Sequence, residues 1–136
     1  MHKRRWMANT LLTIGLASSS TFGHARTASP LALYESHHVG VASYYADRFH
    51  GRKTASGERY DRNGLTADHP NLPFGTLLRV TNVNNNLSIV VRVNDRTRLP
   101  KGRVLDLSRR AANALNFINA GTALVRYEII AESDFE

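Results

Sequence analysis

In separate stretches between residues 76 and 130, at 77–81, 88–94 and 124–130, apolar and polar side chains change places with a period of two, the spacing of a strand with one buried face. Leu77-Leu78-Arg79-Val80-Thr81 reads as one strand and Ser88-Ile89-Val90-Val91-Arg92-Val93-Asn94 as its return, joined by Asn84-Asn85-Asn86, residues that tolerate positive φ. On the return strand Ile89, Val91 and Val93 share one face and are predicted to meet the core. The same parity carries Asp95 to the rim of that apolar interior. Val39, Val41 and Ser43 alternate with Gly40, Ala42 and Tyr44 in a first strand, and Leu124 to Ile130 form a closing strand after a turn at Gly121. Ser108 is placed to cap a short helix beginning at Arg109.

Residues 47 to 75 break this alternation with Gly, Asn, Asp, Pro and charge, and are predicted to be mostly loop. Phe49, Tyr60, Leu65, Leu72 and Phe74 are spaced along it as anchors, so the loop is expected to be ordered and functional. Several short strands with one short helix predict an all-β domain, and a small closed barrel suits them better than a sandwich because closure hides the strand edges.

The N-terminus reads differently. Lys3, Arg4 and Arg5 precede the apolar stretch Leu11 to Ala17 and then small residues ending Gly23-His24-Ala25, the pattern of a signal peptide over residues 1–25, with cleavage after Ala25 or, as an alternative, Ala28. The apolar run is too short for a bilayer span, which needs about 20 such residues. Residues 26–38 carry no periodicity and read as a linker, leaving 39–132 for the domain.

The 136 residues contain no cysteine, which excludes disulfides, a thiolate nucleophile, a Cys-based zinc site and a lipid-bearing Cys behind the leader. A periplasmic or secreted protein with no stable membrane anchor is expected, and a monomer. The formal charge is +7; without Lys3, Arg4 and Arg5, 15 basic residues face 11 acidic ones. Export turns that surplus away from nucleic acid and toward anionic envelope polymers.

The chain has no HExxH, GxSxG, P-loop or dinucleotide fingerprint. His2 and His24 lie in the leader, His37 and His38 are adjacent and would point apart, and nothing recommends His50 with His69 as a metal pair, so neither metal nor cofactor is expected. What remains beside the barrel is Glu58, His69 and Asp95. Glycosidic cleavage needs an acid for the leaving oxygen and a carboxylate for the positive charge or a proton, and these residues would suffice. Each also has a structural reading: Asp95 capping the loop of Arg96 to Lys101, Glu58 pairing with an Arg, His69 turning the chain before Pro70. Asp106, just ahead of the helix start, is expected to hydrogen-bond backbone rather than act in catalysis.

The blocks Gly40 to Tyr45, Phe49-His50-Gly51-Arg52-Lys53-Thr54-Ala55-Ser56-Gly57-Glu58, Thr66 to Pro70, Leu72 to Thr76, Val90 to Arg96 and Gly102 to Ser108 stand in an order that closely resembles the rare lipoprotein A family. The resemblance covers about residues 39–130. It implies a six-stranded double-psi β-barrel and peptidoglycan as substrate, with endolytic cleavage between N-acetylmuramic acid and N-acetylglucosamine in peptide-stripped strands and a 1,6-anhydro product. The family's functional positions fall on Glu58, His69 and Asp95. It implies Asp95 as acid and then base, Glu58 supporting the developing charge or sharing proton transfer, and His69 fixing geometry. The sequence departs from the family in having no lipid-bearing Cys and no C-terminal glycan-binding repeat, so septal targeting by that route is not expected. It also carries Thr97-Arg98-Leu99-Pro100 where the family has Gly-Pro and an apolar residue after Asn-Asp-Arg. Two alternatives stay open: an expansin-like module that grips sugar through Asp95, Tyr44, Tyr45 and Tyr60 without cleaving it, and a hydrolase in which water replaces the C6 hydroxyl.

Overall fold

The computed structural model describes residues 37–131; the expected signal peptide and all but the last two residues of the expected linker lie outside the described residues. Six strands, β1 (His38–Tyr44), β2 (Thr66–Asp68), β3 (Leu77–Asn82), β4 (Ser88–Asp95), β5 (Arg103–Leu107) and β6 (Ala123–Ala131), close into a barrel in the order β1-β5-β2-β4-β3-β6. Two pairings, β1 with β5 and β2 with β4, are parallel, and the other four are antiparallel. This mixed, closed, six-stranded sheet is the double-psi β-barrel.

The hairpin of β3 and β4 forms where the alternation puts it, turning through Asn86 at φ 61°. Asn is among the few residues that adopt this left-handed conformation readily. Val91 and Val93 are buried with Leu78, Val80, Leu105, Leu107 and Val125 in one core. Burying each of these side chains contributes about 1.5–3 kcal/mol, which suits a domain without disulfides. Among the described residues a single α-helix, α1 (Arg109–Ala114), starts at Ser108, whose side-chain oxygen accepts from the Ala111 N–H, and α1 adds Ala111 and Ala112 to the core.

The long loop is less irregular than its composition predicts. It contains a 3₁₀ turn (Asp47–Phe49), a bridge between Lys53 and Arg59, and the whole of β2. Thr66, Ala67 and Asp68 lack strand-like alternation because β2 is buried throughout, wedged between β4 and β5. β5 packs so closely along β1 that a Cβ on Gly40 would lie 2.2 Å from the Val104 side chain, which is why the first strand needs glycine there.

Candidate active site

Three aspartates from three adjacent strands stand in one row. Asp68 of β2 is the registered partner of Asp95 on β4 and also of Asp106 on β5, and Asp106 is in turn paired with Ser43 on β1. Residues directly opposite across a sheet project to the same side, so the row gathers three carboxylates. A register shift between Ala67 and Asp68 in the β2/β4 pairing aligns Asp95, rather than Asn94, with Asp68. Irregularities of this kind re-aim a side chain at a barrel rim, and strict alternation from Val93 to Asp95 does not carry through it.

All three aspartates line a cavity of about 550 Å³. Its aromatic wall is Tyr45, its ring 4.4 Å from that of Tyr60 at a tilt of 30° and edge-on to Phe49 at 6.2 Å. Asp95 is held as an acceptor on both oxygens: Oδ1 receives the N–H groups of Ala55 (2.9 Å) and Arg96 (2.8 Å), and Oδ2 receives the Tyr45 hydroxyl (2.5 Å). Asp68 accepts the Thr97 N–H on Oδ1 (2.9 Å) and the Thr97 hydroxyl on Oδ2. Asp106 differs. Its Oδ1 accepts the Ser43 hydroxyl (2.9 Å), and Oδ2 makes no hydrogen bond among the described residues. Burial pushes the carboxyls of Asp68 and Asp106 above the usual range; the neighbouring aspartates push further, against the hydrogen bonds and the nearby Arg96 and Arg103.

The match to known proteins falls on this barrel. A family described as lytic transglycolase, of the double-psi β-barrel type, matches residues 37–127. The chain belongs to the lytic transglycolase family. An endolytic peptidoglycan transglycosylase RlpA of Campylobacter jejuni is 52% identical over 91 residues, 67% of this chain and 33% of that protein. The like-named protein of Neisseria meningitidis is 52% identical over 92 residues, 68% of this chain and 38% of its own. The chain thus spans little more than a third of these relatives. Among solved structures, the Streptomyces papain inhibitor superposes with a TM-score of 0.56 at 20% identity, covering 70% of this chain and 94% of that one. A Clavibacter michiganensis expansin solved with cellohexaose also gives 0.56 at 20% identity, over 74% of this chain and 53% of that one. At such identities these two share the fold.

Within the lytic transglycolase domain, of the three residues expected from sequence only Asp95 lines the cavity. Glu58 is exposed and forms a two-pronged pair with Arg92 (2.7 and 3.0 Å), while Asn94 Nδ2 donates to it at 3.2 Å. The Arg92 guanidinium is the main reason its carboxyl lies below the ordinary glutamate range. Glu58 closes the turn whose Ala55 N–H reaches Asp95, since the Thr54 N–H donates to the Glu58 carbonyl at 2.7 Å and the Gly57 N–H to the Thr54 carbonyl at 3.0 Å.

His69 is buried and borders a separate cavity of about 290 Å³ with His38, Arg103 and Tyr127. Its Nδ1 accepts the N–H groups of Asn71 (3.2 Å) and Leu72 (3.1 Å), which leaves Nε2 to donate to the Tyr127 hydroxyl at 2.8 Å. Burial, with help from the charges of His38 and Arg96, pushes its pKa down to about 4.

Asp106 corrects the expectation that it serves the backbone at the helix start. It lies within β5, opposite in parity to buried Leu105 and Leu107, and bonds the Ser43 side chain. Asp68 was missed as well, and Tyr45, expected only as a sugar-gripping surface in the non-cleaving alternative, proves to be a hydrogen-bond donor to Asp95. The alternation of Leu105 and Leu107 could have pointed to Asp106; nothing local marks Asp68, whose neighbours come from distant strands. Among the described residues no group of three metal-ligating side chains is placed to hold an ion.

Proposed function

We propose that this protein is an endolytic peptidoglycan lytic transglycosylase that cleaves between N-acetylmuramic acid and N-acetylglucosamine and leaves a 1,6-anhydro end. The supporting observation is the row of Asp95, Asp68 and Asp106 at the wall of a sugar-sized cavity. Membership of the lytic transglycolase family and the names of relatives about half identical over the barrel support the same reading.

In this reading Asp106 carries the proton. It combines a raised pKa with an oxygen free to meet substrate, the two properties a general acid needs near neutral pH. Protonated Asp106 donates to the glycosidic oxygen. The C1–O bond breaks, and N-acetylglucosamine leaves with the new hydroxyl. Asp95, held as an acceptor by three donors, faces the positive charge that develops at C1. The muramyl C6 hydroxyl oxygen then bonds to C1 and its proton passes to the Asp106 carboxylate, which restores the acid. No water enters. Asp95 thus keeps a central part, but as the fixed charge rather than as the proton carrier that the resemblance implies, while Glu58 and His69 support it from outside the cavity.

A peptidoglycan substrate puts the protein outside the cytoplasm, in the periplasm or secreted, as the leader-like N-terminus suggests. The test is to incubate the purified protein with intact and with amidase-stripped peptidoglycan, beside Asp106→Asn and Asp95→Asn, and to analyse the products by mass spectrometry. Anhydro products that vanish in both variants are expected. Saturable binding without soluble product would favour the expansin-like module, and reducing ends without anhydro sugar would favour a hydrolase.

A further inference from the structure

The three aspartates of the row are not held alike. Among the described residues Asp95 receives three hydrogen bonds, Asp68 two and Asp106 one. Both donors to Asp68 belong to one residue, Thr97: its N–H reaches Oδ1 at 2.9 Å and its hydroxyl reaches Oδ2. Asp68 is 1% exposed on β2, whereas Thr97 is exposed on the loop after β4 and lines the cavity. A surface hydroxyl is thus turned inward onto a buried carboxyl. Thr97 also stands where the chain departs from the rare lipoprotein A pattern, which has glycine after Asn-Asp-Arg. Glycine there would keep the N–H and lose the hydroxyl.

Facing carboxyls do not ionise independently: each charge opposes the next, and the proton stays on the member least well held as an anion. Donors aimed at a carboxylate favour its charged form. Asp68 and Asp106 are registered partners, and burial is the largest influence on both. Against it Asp68 has the N–H and the hydroxyl of Thr97, while Asp106 has only the Ser43 hydroxyl. The other groups that face the pair do not reverse this order. Asp95 opposes ionisation of both, Arg96 favours the Asp68 anion as Arg103 favours that of Asp106, and the phenols of Tyr45 and Tyr60 keep their protons. We propose that Thr97 is a positioning residue which, by donating to both oxygens of Asp68, fixes Asp68 as the anion and leaves the proton of the pair to Asp106. The proposal rests on the reading of Asp106 as the acid, and it names the residue across the row that makes it so.

The test follows the aspartate Cγ carbons of the purified protein by NMR through a pH titration, with Asp68→Asn and Asp106→Asn assigning the signals, beside pH profiles of kcat on glycan. In the wild type Asp68 is expected to ionise at lower pH than Asp106. Thr97→Val keeps the side-chain shape and the N–H but removes the hydroxyl. Its Asp68 midpoint is expected to rise to that of Asp106 or beyond, and kcat to fall about three- to tenfold on the alkaline side of the optimum, recovering as pH falls and both carboxyls take up protons. Thr97→Ser is expected to keep the wild-type order and profile. In an Asp68→Asn background Thr97→Val is expected to change nothing further, since residue 68 then has no proton to take. Should Thr97→Val lower Tm, Thr97→Gly, which also loses the hydroxyl, repeats the comparison. An Asp68 midpoint above that of Asp106 in the wild type, a midpoint unmoved by loss of the hydroxyl, a rate loss equal at every pH, or a loss that persists beside Asp68→Asn overturns the proposal. Product analysis runs separately: absence of anhydro sugar from the wild type would sink the cleavage reading, while the order of the two midpoints still decides Thr97.

Discussion

The phenol of Tyr45, one residue beyond β1, donates a 2.5 Å hydrogen bond to Oδ2 of Asp95 at the end of β4, joining two strands that are not neighbours in the barrel. Burial and this bond hold the Tyr45 proton far above the ordinary phenol range, so Tyr45 is always the donor. A hydrogen bond to a charged group is worth about 1.5–3 kcal/mol, and losing one from an oriented carboxylate lowers its ability to face a developing charge. Tyr45→Phe is therefore expected to reduce kcat about ten- to hundredfold with little change in KM. Steady-state rates on stripped glycan check this, and a rate within twofold of wild type would remove Tyr45 from the catalytic arrangement.

The neighbours of Asp106 act on it in opposite directions, which allows its role to be read from a pH profile. As a general acid it works only when protonated, so the rate falls as pH rises through its pKa. The Asp68 charge raises that pKa and the Ser43 hydroxyl lowers it. Asp68→Asn is expected to move the alkaline limb to lower pH, and Ser43→Ala to move it higher. Asp106→Asn removes the limb together with the activity. It is also expected to raise Tm at neutral pH, because a carboxyl whose folded pKa is raised destabilises the fold once pH exceeds its unfolded value. Limbs that do not move in these directions would place the proton on another group.

Strands with one buried face were legible because their alternation is local: Ile89, Val91 and Val93 announced β4, and Leu124 to Ile130 announced β6. β2 was hidden because a strand buried on every side has no polar face to alternate with, and three residues are too few to show a period. The same limit governs the site. Asp95 was found because it follows a readable strand, but its alignment with Asp68 depends on a register shift between strands far apart in sequence. Glu58 and His69 belong to the recognisable motifs, and the motifs carry no sign that one is tied to Arg92 and the other to Tyr127.

His69 makes a prediction about stability rather than rate. Its pKa lies at about 4 in the folded barrel, below the unfolded value of 6.5, so the unfolded chain takes up a proton that the folded chain refuses. The contribution of His69 is fully present above pH 6.5 and is lost as pH falls toward 4. Asp68 and Asp106, with raised pKa values, act in the opposite sense in the acid range. His69→Gln is expected to lower stability by about 1–3 kcal/mol at pH 7, because the N–H groups of Asn71 and Leu72 lose their acceptor, and to flatten the decline between pH 6.5 and 4. Urea midpoints across that range check both effects. An unchanged slope would mean that His69 does not resist protonation.

Glu58 and Arg92 should behave as one unit. The pair is exposed, and such pairs contribute only about 0–1 kcal/mol to stability, yet it fastens the turn that delivers the Ala55 N–H to Asp95. If its service is to hold that N–H in place, Glu58→Ala and Arg92→Ala each lose the same thing, and the double variant is no worse than either alone. A proton-carrying Glu58 would behave otherwise: Glu58→Gln, which keeps an acceptor for Arg92, would be as inactive as Glu58→Ala, and the pH profile would lose a limb. The geometry favours the first pattern, with Glu58→Gln within about tenfold of the wild-type kcat, an unshifted profile and single-variant losses that do not add. Independent, multiplying losses in the double variant would separate the two residues and return Glu58 to the chemistry of the cavity.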